Sequence, residues 1–405
     1  MNEMLPPRTA AVAREGSSRA VRPRAALLWL ALPLFALVLA VIALVANDWL
    51  AAFDSGAPPV EKLTFERTVL DDRGIHLGIR AGGSEPMIIA QVQVDEAYWR
   101  FTQDPPGPLD RLATAWLHIP YPWVLGEKHA IKLLTRTGVV FEKEIEVAVT
   151  TPRAQIGQLG PQALLGAFVG IVPVVIGMMF YPALRGIGRR GLGFVLSVTV
   201  GLLAFLLVDT LEDALEMADR SAAAFQGPVM VLLVAAAAFL VLLLVGRQRG
   251  APTGFALATC IALGIGLHNF GEGLAIGAAF AAGAASLGTF LVLGFTLHNI
   301  TEGIGIVAPV VEERLSLPAF AALALLAGVP AIFGIWLGSL SYAPHWSAVA
   351  LAVGAGAILQ VIVEVSAYLA RRTGGSGSAW LAPGTVAGVI CGIGVMYATA
   401  LLVKV

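Results

Sequence analysis

The phrase Leu267-His268-Asn269-Phe270-Gly271-Glu272-Gly273 recurs 30 positions later as Leu297-His298-Asn299-Ile300-Thr301-Glu302-Gly303. The shared pattern is H-N-x-x-E-G, and both copies lie in apolar runs. On a helix, His and Glu at i and i+4 share one face, with Cβ atoms about 5–6 Å apart. The Asn precedes the same Glu by three positions and flanks that face. Two such faces opposed across an antiparallel helix pair would gather two imidazoles, two carboxylates and two amide oxygens. Nitrogen and oxygen donors suit zinc, iron(II) and manganese, and the lack of a thiolate argues against copper(I). A lone histidine on an apolar helix is more often a hydrogen-bonded core residue. A duplicated six-position pattern with a glutamate in each copy favours a metal site of His268, Asn269, Glu272, His298, Asn299 and Glu302.

The composition places these helices in lipid. Of 405 residues, 57% are hydrophobic and only 13% charged, and the mean hydropathy is +0.81. Soluble domains are about one quarter charged, so a cytosolic enzyme and a disordered chain are excluded. A net charge of -1 supplies no field for phosphate backbones, which excludes nucleic acid as a partner. Cys260 and Cys391 sit in apolar runs without a CxxC or CxxH neighbour, so neither a disulfide framework nor a zinc knuckle is expected.

About 20 apolar residues cross the hydrocarbon core as a helix. Nine runs qualify: 25–46, 159–181, 193–216, 228–245, 254–282, 286–311, 317–340, 345–370 and 380–403. The expected organisation is a basic cytoplasmic tail (1–24), a transmembrane anchor (25–46), an extracytoplasmic β domain (47–156) and an eight-helix membrane domain (157–405). The first run is longer than the apolar region of a signal peptide, about 7–15 residues, which favours an uncleaved anchor. Basic residues set the orientation. With a cytoplasmic N-terminus, Arg8, Arg14, Arg19, Arg22, Arg24, Arg185, Arg189, Arg190, Arg247, Arg249, Arg314, Arg371 and Arg372 fall inside. Only Arg220 and Lys404 fall in the short outer segments. The expected location is the plasma (inner) membrane, with residues 47–156 and the C-terminus outside.

Residues 47–156 differ from the rest. Ile145, Val147 and Val149 alternate with Glu144, Glu146 and Ala148, and Val92 and Val94 alternate with Gln91 and Gln93, a period of two that predicts strands with one wet face. Asp71-Asp72-Arg73-Gly74, Ala81-Gly82-Gly83 and Thr137-Gly138 read as turns. The pattern predicts a small antiparallel sandwich, immunoglobulin-like in outline. His76, His118 and His129 lie here with Asp71 and Asp72. A metal-capturing module is one reading; surface or turn residues without a ligand motif is the favoured one.

Charges inside the last eight runs are all acidic. One stripe, Asp209, Glu212, Asp213 and Glu216, follows i, i+3, i+4, i+7 spacing; the others are Glu272, Glu302 and Glu364. A charge at the bilayer centre costs about 2.5–3.5 kcal/mol on insertion scales. With no basic residue deep in these runs, protons or a metal cation are expected to balance them. The stripe reads as an acidic entrance, with a solvated helix end as the alternative. His345, at the start of its run, reads as an interfacial residue.

With these residues in view, the chain resembles the ZIP (Zrt-, Irt-like protein) family of divalent-metal transporters across roughly residues 157–405. The resemblance implies an eight-helix bundle whose fourth and fifth helices carry the transport site, so His268, Asn269 and Glu272 match one half and His298, Asn299 and Glu302 the other. Gly354-Ala355-Gly356 to Glu364 resembles the seventh helix, which implies that Glu364 lies on the exit path. Three departures stand out. Thr301 occupies a position where proline is common; its hydroxyl can bond back to a carbonyl. The stretch 328–334 lacks the sixth-helix glutamate of binuclear members, which implies one strong site. The loop at 247–252 is short and carries no histidine.

The function expected from this resemblance is uptake of a divalent transition metal into the cytoplasm, zinc first, with iron, manganese and cadmium as alternatives. The metal is cargo, no prosthetic group is expected, and the chain is not expected to be an enzyme. A membrane metalloenzyme is an alternative; H-N-x-x-E exchanges the general base and second histidine of H-E-x-x-H. A metal-sensing receptor using the outer domain is another. Besides metal and lipid, a homodimer and a partner of the outer domain are compatible with the chain.

Overall fold

The computed structural model describes residues 23–46, 59–151, 156–248, 250–281, 285–340, 344–372 and 382–403. Arg8, Arg14, Arg19, Arg22, Arg249, Trp380 and Lys404 lie outside them. The first compact unit, Met1–Pro58, contributes α1 (Pro23–Ala46), apolar after Arg24 and with Pro33 inside it.

The second unit, Pro59–Val405, begins with eight strands: β1 (Leu63–Asp71), β2 (Gly74–Ala81), β3 (Ile89–Val94), β4 (Ala97–Trp99), β5 (Thr102–Asp104), β6 (Thr114–Ile119), β7 (His129–Thr135) and β8 (Val140–Ile145). They form two antiparallel sheets in the orders β1-β2-β6-β5 and β4-β3-β7-β8. Ile75, Leu77, Ile79, Leu117 and Ile119 of the first sheet share one buried core with Val92, Val94, Ile131 and Leu133 of the second. The period-two reading of Val92 and Val94 holds. That of the last stretch breaks: Val147 is exposed and Ala148 fully buried. A bend at Glu146 and Val147 ends β8 and inverts the phase, and Ala148 then exchanges backbone hydrogen bonds with the 126–127 turn. Gly74 closes the β1–β2 turn at φ +130, where a Cβ would meet the backbone of Pro120 and Tyr121.

The β3–β4 turn is pinned by one carboxylate. Asp95 accepts from Ala130 N–H (2.9 Å), the Tyr121 hydroxyl (2.7 Å) and His129 Nδ1 (2.8 Å). Burial alone would push this carboxyl up, but those three donors outweigh it and hold the group below its ordinary value of 3.8. Donating to the carboxylate pushes the Tyr121 phenol from 10.0 to about 12. The Asp95 contribution to stability is therefore present above pH 3.8 and is lost as pH falls through the lower folded value. The Tyr121 contribution is present below pH 10.0 and is lost as pH rises toward 12. Asp95→Asn is expected to flatten both arms of a melting-temperature profile of the sandwich; unchanged arms would dissociate the turn from the pH response.

Among the described residues eight helices follow, each long and apolar enough to cross a membrane: α2 (Leu159–Leu184), α3 (Gly188–Asp219), α4 (Gly227–Arg247), α5 (Gly254–Ala281), α6 (Ala285–Val307), α7 (Leu317–Leu340), α8 (Pro344–Arg372) and α9 (Pro383–Val403). The fold is thus mostly helical, with a small all-β region. The helices coincide with the last eight apolar runs to within a few residues, but α2 is not one uninterrupted helix. It takes a π turn at Ala167–Ile171 and a tight turn at Met179 and Phe180.

At one end of the bundle the linkers converge: Arg372 meets Glu312 at 2.9 Å, Arg371 donates to Pro252 O, and the Tyr181 hydroxyl bonds Glu313 O. The sandwich lies at the other end. There Arg80 pairs with Glu66 at 2.5 Å and stands 5.6 Å over the Phe225 ring. Phe225 stacks at 5.0 Å on His345, at the start of α8.

Candidate metal centre

Each motif copy is two adjacent i, i+4 stripes, and the structure gives them different tasks. His268 and Glu272 form one stripe of α5; Asn269 and Gly273 form the other. Asn269 Nδ2 donates to Ala327 O of α7 at 3.0 Å. Gly273 lies against the Ala331 backbone of that helix, where a Cβ would come within 3.0 Å of its Cα. On α6 the arrangement repeats: Asn299 Nδ2 donates to Val169 O of α2 at 3.1 Å, and Gly303 lies against Gly177 of α2. Small residues permit such close backbone approach in membranes. Val169 sits inside the π turn of α2, a geometry that displaces carbonyls from the regular ladder. On α7, Pro330 lacks the N–H that would bond Leu326 O, one residue before Ala327. Both irregularities fall where a motif asparagine docks.

The other stripes converge. Glu272 Oε1 lies 3.0 Å from His268 Nε2 and 2.6 Å from His298 Nε2. The two rings are 6.4 Å apart, and all three side chains are buried. Their ligand atoms lie within 4.8 Å of one another, close enough to hold one metal ion. An ionised carboxylate only accepts, so an Nε2 that hydrogen-bonds to it does so as the donor, carrying a proton there. A bound dication would take the place of such a proton. Thr210 Oγ1 of α3 stands 3.5 Å from His268 Nδ1, a neighbour the sequence did not single out. Thr301 back-bonds to His298 O at 2.6 Å, as its hydroxyl allows.

Of the four expected His and Glu ligands, His268, Glu272 and His298 form the group and Glu302, also buried, stands outside it; the two expected asparagine ligands, Asn269 and Asn299, are buried beside them. Asn269 and Asn299 turn their N–H groups to the neighbouring helices. Among the described residues, Asn269 Oδ1, Asn299 Oδ1, Glu272 Oε2 and both Glu302 carboxylate oxygens have no hydrogen-bond partner. Buried polar atoms are normally paired. A set of buried acceptors lacking donors could receive a cation.

The path residues divide. Asp209 is half-buried, next in sequence to Thr210, and lines a cavity of about 230 Å³ with Glu212 and Tyr397. Glu212, Asp213 and Glu216 are exposed, and Glu216 pairs with Arg220 at 2.5 Å. The solvated-end reading therefore fits these three side chains. The expectation that no cation balances the deep acids is corrected at Glu364. This side chain is fully buried, and Arg247 Nε, from the end of α4, donates to its Oε1 at 2.7 Å. The sequence carried Arg247 only as a topology signal. Among known proteins, no family model and no curated protein matches the chain.

Proposed function

We propose that the chain is a ZIP-type membrane transporter that carries a divalent transition metal, zinc first, from the outer side into the cytoplasm. The observation that carries this reading is the group of His268, Glu272 and His298, set beside unpartnered buried acceptors at mid-helix. Imidazole and carboxylate donors match borderline divalent ions. Two helix pairs, α5 with α7 and α6 with α2, hold the group by the same asparagine and glycine contacts. Such internal symmetry about a midplane site suits transporters that rock one half against the other. The strand order β1-β2-β6-β5 facing β4-β3-β7-β8 supports an immunoglobulin-like reading of the sandwich. The arginines at the linker end support a cytoplasmic assignment for that end, which puts the sandwich outside.

In this mechanism Glu212 and Asp213, at the solvated outer end of α3, attract cations by surface charge without ligating them, while Glu216 is held by Arg220. Asp209 hands the ion inward, and water is exchanged for His268, Glu272 and His298. Glu302, Asn269 and Asn299 supply the next oxygens. Exit past Glu364 requires that Arg247 give way. Purified protein in sealed vesicles containing a zinc-sensitive dye should admit Zn2+ faster than protein-free vesicles. Zn2+ bound but never crossing would favour the enzyme or sensor readings. Removal of residues 1–156 should leave flux in place; its loss would favour the sensor.

A further inference from the structure

The β1-β2-β6-β5 sheet carries a second pair of imidazoles on the face away from the sandwich core. His76 of β2 and His118 of β6 are directly opposed in register, and their Nδ1 atoms stand 2.8 Å apart. His76 Nε2 lies 2.9 Å from Asp71 Oδ1, and Arg73 holds the other oxygen of Asp71 at 3.3 Å. The carboxylate thus fixes the ring orientation of His76 and leaves its Nδ1 turned to His118. A carboxylate on the far nitrogen of an imidazole is the usual outer support of a metal-binding histidine. Both rings line a cavity of about 790 Å³ with Trp116, Phe101, Asp104 and Arg100, which leaves room for water. His129 does not join them, since Asp95 holds it on the other sheet.

We propose that His76 and His118 form an outer-domain site for a divalent transition-metal ion, with the copper(II) class held most tightly. Metal–nitrogen bonds of about 2.0–2.1 Å put ligand nitrogens on neighbouring corners of a tetragonal or tetrahedral site about 2.8–3.4 Å apart. The pair already has the lower separation, so binding requires the rings to turn rather than the strands to move. Two imidazoles without thiolate rank copper(II) above nickel and zinc. Water completes the coordination from the cavity. Neither histidine belongs to the hydrophobic core, so the pair is available without unpacking the domain. The site stands or falls independently of transport through the helices.

The test is Cu2+ titration of the full chain in detergent, followed by electron paramagnetic resonance. A two-nitrogen signal is expected in the native chain and in Glu272→Gln with His298→Ala, which leaves the helical group a single imidazole, and the variants that follow are made in that background. His76→Ala and His118→Ala should each reduce it to one nitrogen and weaken binding at least tenfold. An unchanged signal in His118→Ala overturns the proposal. A readout that needs no histidine variant is fluorescence: Cu2+ in this cavity should quench Trp116, a component missing in Trp116→Phe. Equal quenching of the native and Trp116→Phe chains also overturns it.

Discussion

Glu272→Gln is expected to abolish zinc uptake and to weaken zinc binding by more than about 100-fold, beyond what loss of an outer support of a ligand produces. Its Oε1 is the one atom that both imidazoles meet, at 3.0 and 2.6 Å, and it carries the only negative charge among the three ligands. Glutamine keeps the volume and one acceptor oxygen, so the helices still pack. Glu302→Gln should behave differently. Glu302 stands outside the three-ligand group, so binding should fall by less than about tenfold while uptake collapses, because the ion leaving the group loses its next carboxylate. The same change removes a buried carboxylate whose oxygens have no partner, and it should raise the melting temperature of the metal-free protein. Calorimetric titration with Zn2+ and vesicle uptake separate the two variants. Equal loss of binding in both would mean that the ligand set includes Glu302. A loss under about tenfold in Glu272→Gln would remove Glu272 from it.

The contrast between the two glutamates shows what the sequence could and could not carry. The repeat made both copies legible, because i, i+4 spacing is a property of one helix. That the Asn and Gly of each copy form a second stripe depends on which carbonyls face them, Ala327 O and Val169 O, and these belong to helices 58 and 130 residues away. Apolar runs located the long helices, since length and hydropathy suffice. The π turn at Ala167–Ile171 left no such mark. In the sandwich, alternation identified strands, but a bend at residues 146–147 inverted the phase at Ala148. His76 and His118 read as unconnected because only strand register sets them opposite one another. Arg247 and Glu364 are 117 residues apart and lie on different helices, beyond any local pattern.

That ion pair yields the second large effect. Arg247→Met leaves Glu364 fully buried without its cation, and breaking a buried pair from one side costs about 3–5 kcal/mol. Arg247 is 41% exposed, so water already screens part of the attraction and the low end, about 3 kcal/mol, is expected. Arg247→Met with Glu364→Leu removes both charges and should recover to within about 1 kcal/mol of the parent, since an apolar pair commonly replaces a buried ionic one without loss. Thermal denaturation in one detergent measures the cycle. Zn2+ then tests the exit role, in a Glu272→Gln, His76→Ala background so that neither the central group nor the outer histidine pair contributes. A carboxylate stripped of its arginine should accept the metal as counter-ion, so Zn2+ should restabilise Arg247→Met and leave the double variant unchanged. Restabilisation of both would place the zinc elsewhere. A double variant as unstable as the single one would show that Arg247 supports the helix end by packing its aliphatic stem, and the exit route would then need another gate.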